Sequence, residues 1–156
     1  MSEKLTDQKI EQELMPLAWK ILQDPSFLGQ KKYIQHSRFS VYSHELHVAH
    51  FALKIDRIFH LHCDRKSLVR GALLHDYFLY DWHKGGPGDI HPKLHGFYHP
   101  GIALANAERD FNLNDRERDV IRKHMWPLTV VPPLYREAWA VTAADKWATI
   151  WEKTAA

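Results

Sequence analysis

LVRGALLHD, at positions 68–76, is an apolar run that ends in a histidine and an aspartate. The pair His75-Asp76 falls where the helical pattern would otherwise continue the core of the protein. Burying a carboxylate without a partner is costly, so Asp76 needs a cation, a metal ion or several hydrogen bonds. The stretch therefore predicts a buried helix that brings a polar site into the core.

Helical spacing of apolar residues extends along the rest of the chain, with almost no sign of strands. It predicts helices over about 7–22, 40–60, 64–78, 99–111, 115–125 and 135–152. Pro16 predicts a kink in the first helix, and Asn114 followed by Glu117 predicts a capped start for the fifth. The segments 24–29 and 80–97 are expected to be loops. The sequence thus predicts an all-α protein.

The composition narrows the class of protein. With 156 residues, the chain is expected to form one domain over positions 1–156. The net charge of +2 is too small to favour stable binding to nucleic acid, and no apolar stretch approaches the ~18 residues of a membrane-spanning helix. The single Cys63 excludes an internal disulfide and suits a reducing compartment. Because the N-terminus shows no secretory signal, we expect a cytoplasmic protein without membrane contact.

Six side chains of ligand type lie on, or next to, the inward faces of the predicted helices. They are His44, His75, Asp76, His99, His124 and Asp145. Facing helices that direct imidazole and carboxylate groups at one interior are the usual way to build a metal centre in an all-α protein. Four histidines and two aspartates provide enough ligands for two ions. Nitrogen and oxygen donors without thiolate suit iron, manganese, zinc, nickel or cobalt.

The same residues lie in short motifs that resemble the HD domain superfamily of metal-dependent phosphohydrolases. In chain order the motifs are SHELHVA at 43–49, GALLHD at 71–76, HP at 99–100, IRKH at 121–124 and AADK at 143–146. The resemblance covers roughly positions 38–150 and implies a compact helical bundle with a central metal site. The N-terminal helix, over positions 5–22, is expected to pack on that region.

The resemblance also implies a role for each ligand. The first ion would be bound by His44, His75, Asp76 and Asp145. The second would be bound by His99 and His124, with Asp76 as the bridge. The two-metal branch of the superfamily includes hydrolases of dinucleoside polyphosphates and cyclic dinucleotides, and also di-iron oxygenases. The chain departs from the common His-Asp-Ile-Gly continuation, since YFLYDWH follows at 77–83.

These features together predict a metal-dependent phosphohydrolase that acts on a nucleotide or other small phosphate ester through a metal-activated water. Its cofactor is expected to be one or two divalent ions, iron or manganese first, with zinc, nickel, cobalt and magnesium as alternatives. Two other functions stay open. One is a di-iron oxygenase of the same superfamily, and the other is a non-catalytic regulatory protein that binds a metal or nucleotide. A homodimer also stays open.

Residues beside the ligands are candidates for contacts with the phosphorylated substrate. Lys84, Arg38 and Lys146 are candidates for holding its phosphate groups. His95, one turn before His99, is a candidate for orienting the substrate or donating a proton. The GGPG segment at 85–88 is either a phosphate-facing loop or a plain loop.

The remaining histidines of the second predicted helix are not assigned to the site. His47 and His50 are placed outside the stripe of His44 and are expected to be exposed or at helix contacts. The main catalytic candidate is Asp76, because the resemblance implies that it bridges two ions. His95 and Lys84 are the further catalytic candidates.

Overall fold

The computed structural model describes residues 4–36, 38–84 and 91–155, and these ranges are mainly α-helical. The helices are α1 (Asp7–Leu22), α2 (Pro25–Leu28), α3 (Val41–Phe59), α4 (Arg65–Leu74), α5 (His95–Asp110), α6 (Asp115–Lys123) and α7 (Arg136–Ala155). One short hairpin pairs β1 (Ile34–His36) with β2 (Phe39–Ser40) in antiparallel orientation. Single 3₁₀ turns cover Gly29–Lys32, Trp82–Lys84 and Pro92–Leu94. The predicted all-α class is confirmed.

Helix α3 lies at the centre of the bundle and packs mainly against α4 and α7. Ser40 caps its first turn by accepting a backbone N–H, and His60 ends it in a left-handed conformation, with φ 50°. Leu46 is fully buried, which contributes about 1.5–3 kcal/mol to stability. His44 lies two residues earlier, on the opposite side of the helix, and is fully buried as well. The packing that encloses α3 and stabilises the core therefore also positions a candidate ligand.

Gly71 allows α4 and α6 to approach closely. A Cβ atom added at this position would lie 2.9 Å from the Cβ atom of Val120, so a larger residue would push the two helices apart. Helix α4 ends immediately before His75, and α6 ends immediately before His124. The contact at Gly71 therefore sets the distance between two candidate ligands.

Helix α1 packs on α3 and α4, and its buried residues Ile10, Leu14 and Ile21 join the main core. Pro16 removes a backbone donor from the helix interior, and the predicted kink appears two residues later at Ala18, with φ −150° and ψ 36°. Among the helices of the described ranges, none combines the length and the apolar character that crossing a lipid bilayer requires.

The chain leaves helix α4 earlier than predicted. The helix ends at Leu74 rather than near position 78, so His75 is its C-cap and Asp76 lies in the following turn. Leu79 then adopts a left-handed backbone, with φ 63°. A turn at this point lets two consecutive residues direct their side chains at the same centre, which a continuous helix would separate by about 100°.

Two further boundaries differ from the prediction. Helix α5 begins at His95 rather than at His99, so Pro100 lies within the helix instead of in its first turn. The segment predicted as a loop at 24–29 contains α2, because the Asp24 carboxylate accepts two backbone N–H groups of the first turn and Pro25 suits the first helical position.

Candidate metal centre

The four candidate histidines direct the same ring nitrogen at one point of the core. Each ring is held by a hydrogen bond from its Nδ1 atom. The acceptors are the Glu152 carboxylate for His44 (2.8 Å) and the main-chain carbonyls of Ala72, His95 and Ile121 for His75 (2.5 Å), His99 (2.9 Å) and His124 (2.9 Å). The Nε2 atom of every ring therefore faces the interior, as in histidines that bind a metal ion.

Asp76 lies between two pairs of these histidines. Its Oδ2 atom is 3.5 Å from Nε2 of His44 and 3.3 Å from Nε2 of His75. Its Oδ1 atom is 3.0 Å from Nε2 of His99 and 3.4 Å from Nε2 of His124. Each carboxylate oxygen thus faces its own pair of nitrogens, which is the arrangement expected of a carboxylate between two ions.

Asp145 on α7 completes the group around the first histidine pair. Its Oδ1 atom is 2.9 Å from Nε2 of His44 and 3.5 Å from Nε2 of His75. An ion with bonds of about 2.0–2.2 Å holds its neighbouring donor atoms roughly 2.9–3.6 Å apart. The donor separations fall in this range, so these buried groups could hold a metal ion.

The second histidine pair also fits a cation. The Nε2 atoms of His99 and His124 are 2.8 Å apart. Because Nδ1 of each ring already contacts a main-chain carbonyl, the neutral rings would face each other with two lone pairs. Two acceptors repel at this distance, and a cation beside both removes the repulsion. Together with Asp76, these residues form a second group that could hold a metal ion.

Both aspartates of the cluster are ionised at neutral pH. Burial raises the pKa of Asp76, but the neighbouring histidines, His75 foremost, lower it well below its usual range. Burial also raises the pKa of Asp145, and hydrogen bonds from His44 and His75 lower it well below its usual range. Two buried carboxylates side by side repel each other, and a bound cation relieves that repulsion.

A buried carboxylate that was not predicted, Glu152, supports His44 from the far side of the ring. Its two oxygens lie 2.8 and 2.9 Å from Nδ1 of His44, and Oε2 also accepts from Nδ1 of His47 at 3.0 Å. Burial raises the pKa of Glu152, but these hydrogen bonds lower it to about 2. The sequence contained a signal, because Glu152 continues the inward stripe of α7 two turns after Asp145.

His47 lies on the same side of α3 as His44, so its placement outside the His44 stripe is wrong, whereas its expected position at a helix contact is confirmed. It follows His44 by three residues, which puts both on one side of the helix, and it lies buried in the contact between α3 and α7. His50 is half-buried and contacts the Glu13 carboxylate of α1 at 2.6 Å.

A cavity of about 880 Å³ opens beside the cluster and gives small molecules access to it. Asp76, His99 and Asp145 contribute to its wall, together with Gln35 of β1. The Nε2 atom of Gln35 donates to Oδ2 of Asp76 at 2.9 Å. Within the described part of the chain, the buried Oε1 atom of Gln35 has no hydrogen-bond partner. Sequence reasoning missed Gln35, because an isolated glutamine carries no pattern.

The remaining predicted residues divide between the cavity and the surface. His95 and Lys146 line the cavity. Burial lowers the pKa of His95 to about 3, so its ring is neutral at ordinary pH. Lys84 is exposed and Arg38 is exposed, and neither belongs to the described wall. Positions 85–88 lie outside the described residues.

A second cavity, of about 610 Å³, lies between α1 and the start of α4, and no residue of the cluster is among those that line it in the described ranges.

Comparisons of the chain with family models, with curated proteins and with solved structures each find no match. The helical fold and the buried cluster of histidines and aspartates are compatible with an HD domain.

Replacing Glu152 with glutamine is expected to weaken metal binding by about 10–100-fold. The neutral amide lacks the charge that strengthens the hydrogen bonds from the two imidazoles, and one of its two polar atoms is a donor instead of an acceptor. The measurement is metal affinity by competition with a coloured chelator. Glu137→Gln is the matched control, since Glu137 is also a fully buried carboxylate of α7 but contacts Arg116, at 2.6 Å, and not the cluster. Both variants should lose stability. Equal metal affinities of the two variants would contradict a role for Glu152 in metal binding.

Metal binding is expected to release protons and to strengthen as the pH rises above about 6.5. Burial lowers the pKa of His44, but hydrogen bonds to Asp145 and Glu152 raise it to about 10 in the metal-free protein. This raised pKa stabilises the metal-free fold fully below about 6.5, and the contribution is lost as the pH rises through 10. A metal ion must displace the proton on Nε2, so the gain in thermal midpoint on metal addition should grow from pH 6.5 to 9.

Calorimetric titrations in buffers of different ionisation enthalpy should show at least about one proton released at pH 7. No release would contradict this assignment.

Proposed function

We propose that this protein is a metal-dependent phosphohydrolase with an HD-type centre, which acts on a nucleotide or other small phosphate ester. The observation that carries the proposal is the position of Asp76, whose carboxylate has four histidine nitrogens within 3.5 Å, two beside each oxygen. A carboxylate in this position suits a pair of divalent ions. Paired ions about 3.5–4 Å apart are typical of enzymes that hydrolyse phosphate esters.

The chain's own residues would hold the ions and orient the reacting groups. Divalent ions bound here would lower the pKa of water toward neutrality and neutralise charge on a phosphoryl group. His44, His75 and Asp145 would hold one ion, and His99 and His124 the other, with Asp76 between them. Iron or manganese suits this set of nitrogen and oxygen donors.

Residues next to the ligands would keep the centre in place. Gln35 donates to Oδ2 of Asp76 and so fixes the rotation of the bridging carboxylate. Glu152 holds the ring of His44 through Nδ1 in the same way. Lys146 is the candidate for contact with a phosphate, because it lines the cavity next to Asp145. The neutral ring of His95 would contact the substrate as a hydrogen-bond partner rather than as a cationic acid.

Anaerobic phosphate release tests this function against the alternatives. Protein loaded with manganese is incubated without dioxygen with a panel of nucleotides and phosphate monoesters, and free phosphate is measured. The proposal expects turnover of at least one ester and none from metal-free protein. Iron-dependent oxygen uptake without phosphate release would favour the oxygenase. Metal binding without either reaction would favour a regulatory role.

A further inference from the structure

The wall of the cavity beside the cluster is mainly apolar. Its apolar lining residues are Met125, Pro127, Leu128, Ile150 and Trp82. Leu128 and Ile150 remain 45% and 64% exposed. Large apolar side chains around a concave polar site gain stability when a ligand covers them. This wall therefore suits an organic group rather than a chain of phosphates.

A stack of aromatic rings contributes to the wall. The rings of Trp82 and His95 stack with centroids 4.8 Å apart and planes inclined by 15°, and His95 stacks in turn on His99 at 4.4 Å. The stack ends at a candidate ligand, His99. Trp82 also stacks on His83 at 3.9 Å, so the ring faces are occupied by neighbouring rings. An apolar or aromatic group on a substrate would contact the edges of the stack while its polar end reaches the metal centre.

Lys146 is the single lysine or arginine in the described wall of the cavity. The residues outside the described ranges include no lysine or arginine either. The Nζ atom of Lys146 donates to the carbonyls of Trp126 (3.0 Å) and Thr142 (3.4 Å). An ammonium group has three donors, so one remains for an anion, and the two carbonyls hold the group in place.

The single ammonium group in the described wall limits how much negative charge a bound substrate can carry. A phosphate monoester carries about two negative charges at neutral pH, and one ammonium group beside a metal centre is enough to hold it. A triphosphate would bring further phosphates, with charges that require additional lysine or arginine partners. Placing those charges against an apolar wall without partners is costly.

Building on the proposed function, we infer that the substrate is a phosphate monoester with a single phosphate group and an apolar or aromatic organic group. The phosphate would lie between the metal centre and Lys146. The organic group would lie against the Trp82–His95 stack and against Leu128 and Ile150. Nucleoside triphosphates and other polyphosphates would bind poorly.

Binding of non-hydrolysable phosphonates tests the inference separately from turnover. The probes are 1-naphthylphosphonate, methylphosphonate and the β,γ-imido analogue of adenosine triphosphate, each titrated into manganese-loaded protein, with metal content measured again afterwards. Naphthylphosphonate is expected to bind at least about 30-fold more tightly than methylphosphonate, because of the apolar area that it buries. It should also bind at least about tenfold more tightly than the triphosphate analogue.

Two variants separate the two ends of the substrate. Lys146→Gln should weaken both phosphonates by about tenfold, because the anion loses its ammonium partner. Ile150→Ser should weaken naphthylphosphonate by about fivefold and leave methylphosphonate unchanged, because only the organic group contacts the wall. Lys153→Gln is the control, since Lys153 is an exposed lysine of α7 outside the described wall. Replacing a residue that only maintains the fold would not weaken the binding of one phosphonate while leaving the other unchanged.

Equal binding of the naphthyl and methyl phosphonates, or tighter binding of the triphosphate analogue, would overturn the inference. Unchanged binding in Lys146→Gln would also overturn it. If the phosphonates bind as expected but no phosphate monoester is hydrolysed, the proposed function fails while the ligand class stands. If esters are hydrolysed without preference for an apolar group, the function stands and the inference fails.

Discussion

Replacing Asp76 with asparagine is expected to lower phosphate release by at least about 1000-fold and to reduce the number of bound ions. Asparagine has nearly the same shape as aspartate but lacks the charge that two adjacent cations need between them. Its amide would also present N–H donors to one pair of histidine nitrogens, where a metal ion requires a donor atom with a free lone pair. The measurements are metal content and the initial rate of phosphate release.

Asp56→Asn is the matched control for this prediction. Asp56 is a buried aspartate of α3 that accepts the backbone N–H of Cys63 at 2.9 Å and lies outside the cluster. This control variant should lose stability but keep its ions and its activity. Wild-type activity in Asp76→Asn, or an equal loss of activity in Asp56→Asn, would contradict the bridging role.

Removing the metal is expected to lower the thermal midpoint by about 8–16 °C relative to protein that has free metal at about a thousand times its dissociation constant. An ion that binds only the native state contributes about 4 kcal/mol at that concentration. A chain of this size shifts by about 2–4 °C for each kcal/mol. The candidate ligands come from distant parts of the chain, and all of them except the half-buried Asp145 are buried, so the unfolded chain cannot reproduce the centre.

The same chelation experiment has an internal control. In Asp76→Asn, the midpoint should respond little to the chelator, because little metal is bound at the start. Wild-type protein that has lost its ions by elemental analysis, yet unfolds at the same temperature, would contradict a centre embedded in the core.

Much of the fold could be predicted because local signals agree with packing. The apolar spacing of α3 predicts a helix over 40–60, close to the observed Val41–Phe59, and Asn114 followed by Glu117 predicts the observed start of α6. The structure brings the six ligand-type residues together. His44, His99 and Asp145 lie within helices, whereas His75, Asp76 and His124 lie at or just beyond helix ends. That they bind metal stays a prediction.

The parts that could not be predicted depend on tertiary contacts. The hydrogen bond between His47 and Glu152 joins residues 105 positions apart. A local sequence pattern cannot predict that two such distant polar side chains are buried together. The early end of α4 has the same origin. The apolar spacing predicts a helix to about position 78, but the helix ends at Leu74, where His75 and Asp76 turn toward histidines from three other elements.

Anomalous diffraction from crystals of the manganese- or iron-loaded protein tests the central claim most directly, because it locates each ion independently of activity. We expect two peaks about 3.5–4 Å apart. One should lie beside His44, His75 and Asp145, and the other beside His99 and His124, with the Asp76 carboxylate between them. A single peak, or peaks at other positions only, would contradict a two-ion centre bridged by Asp76.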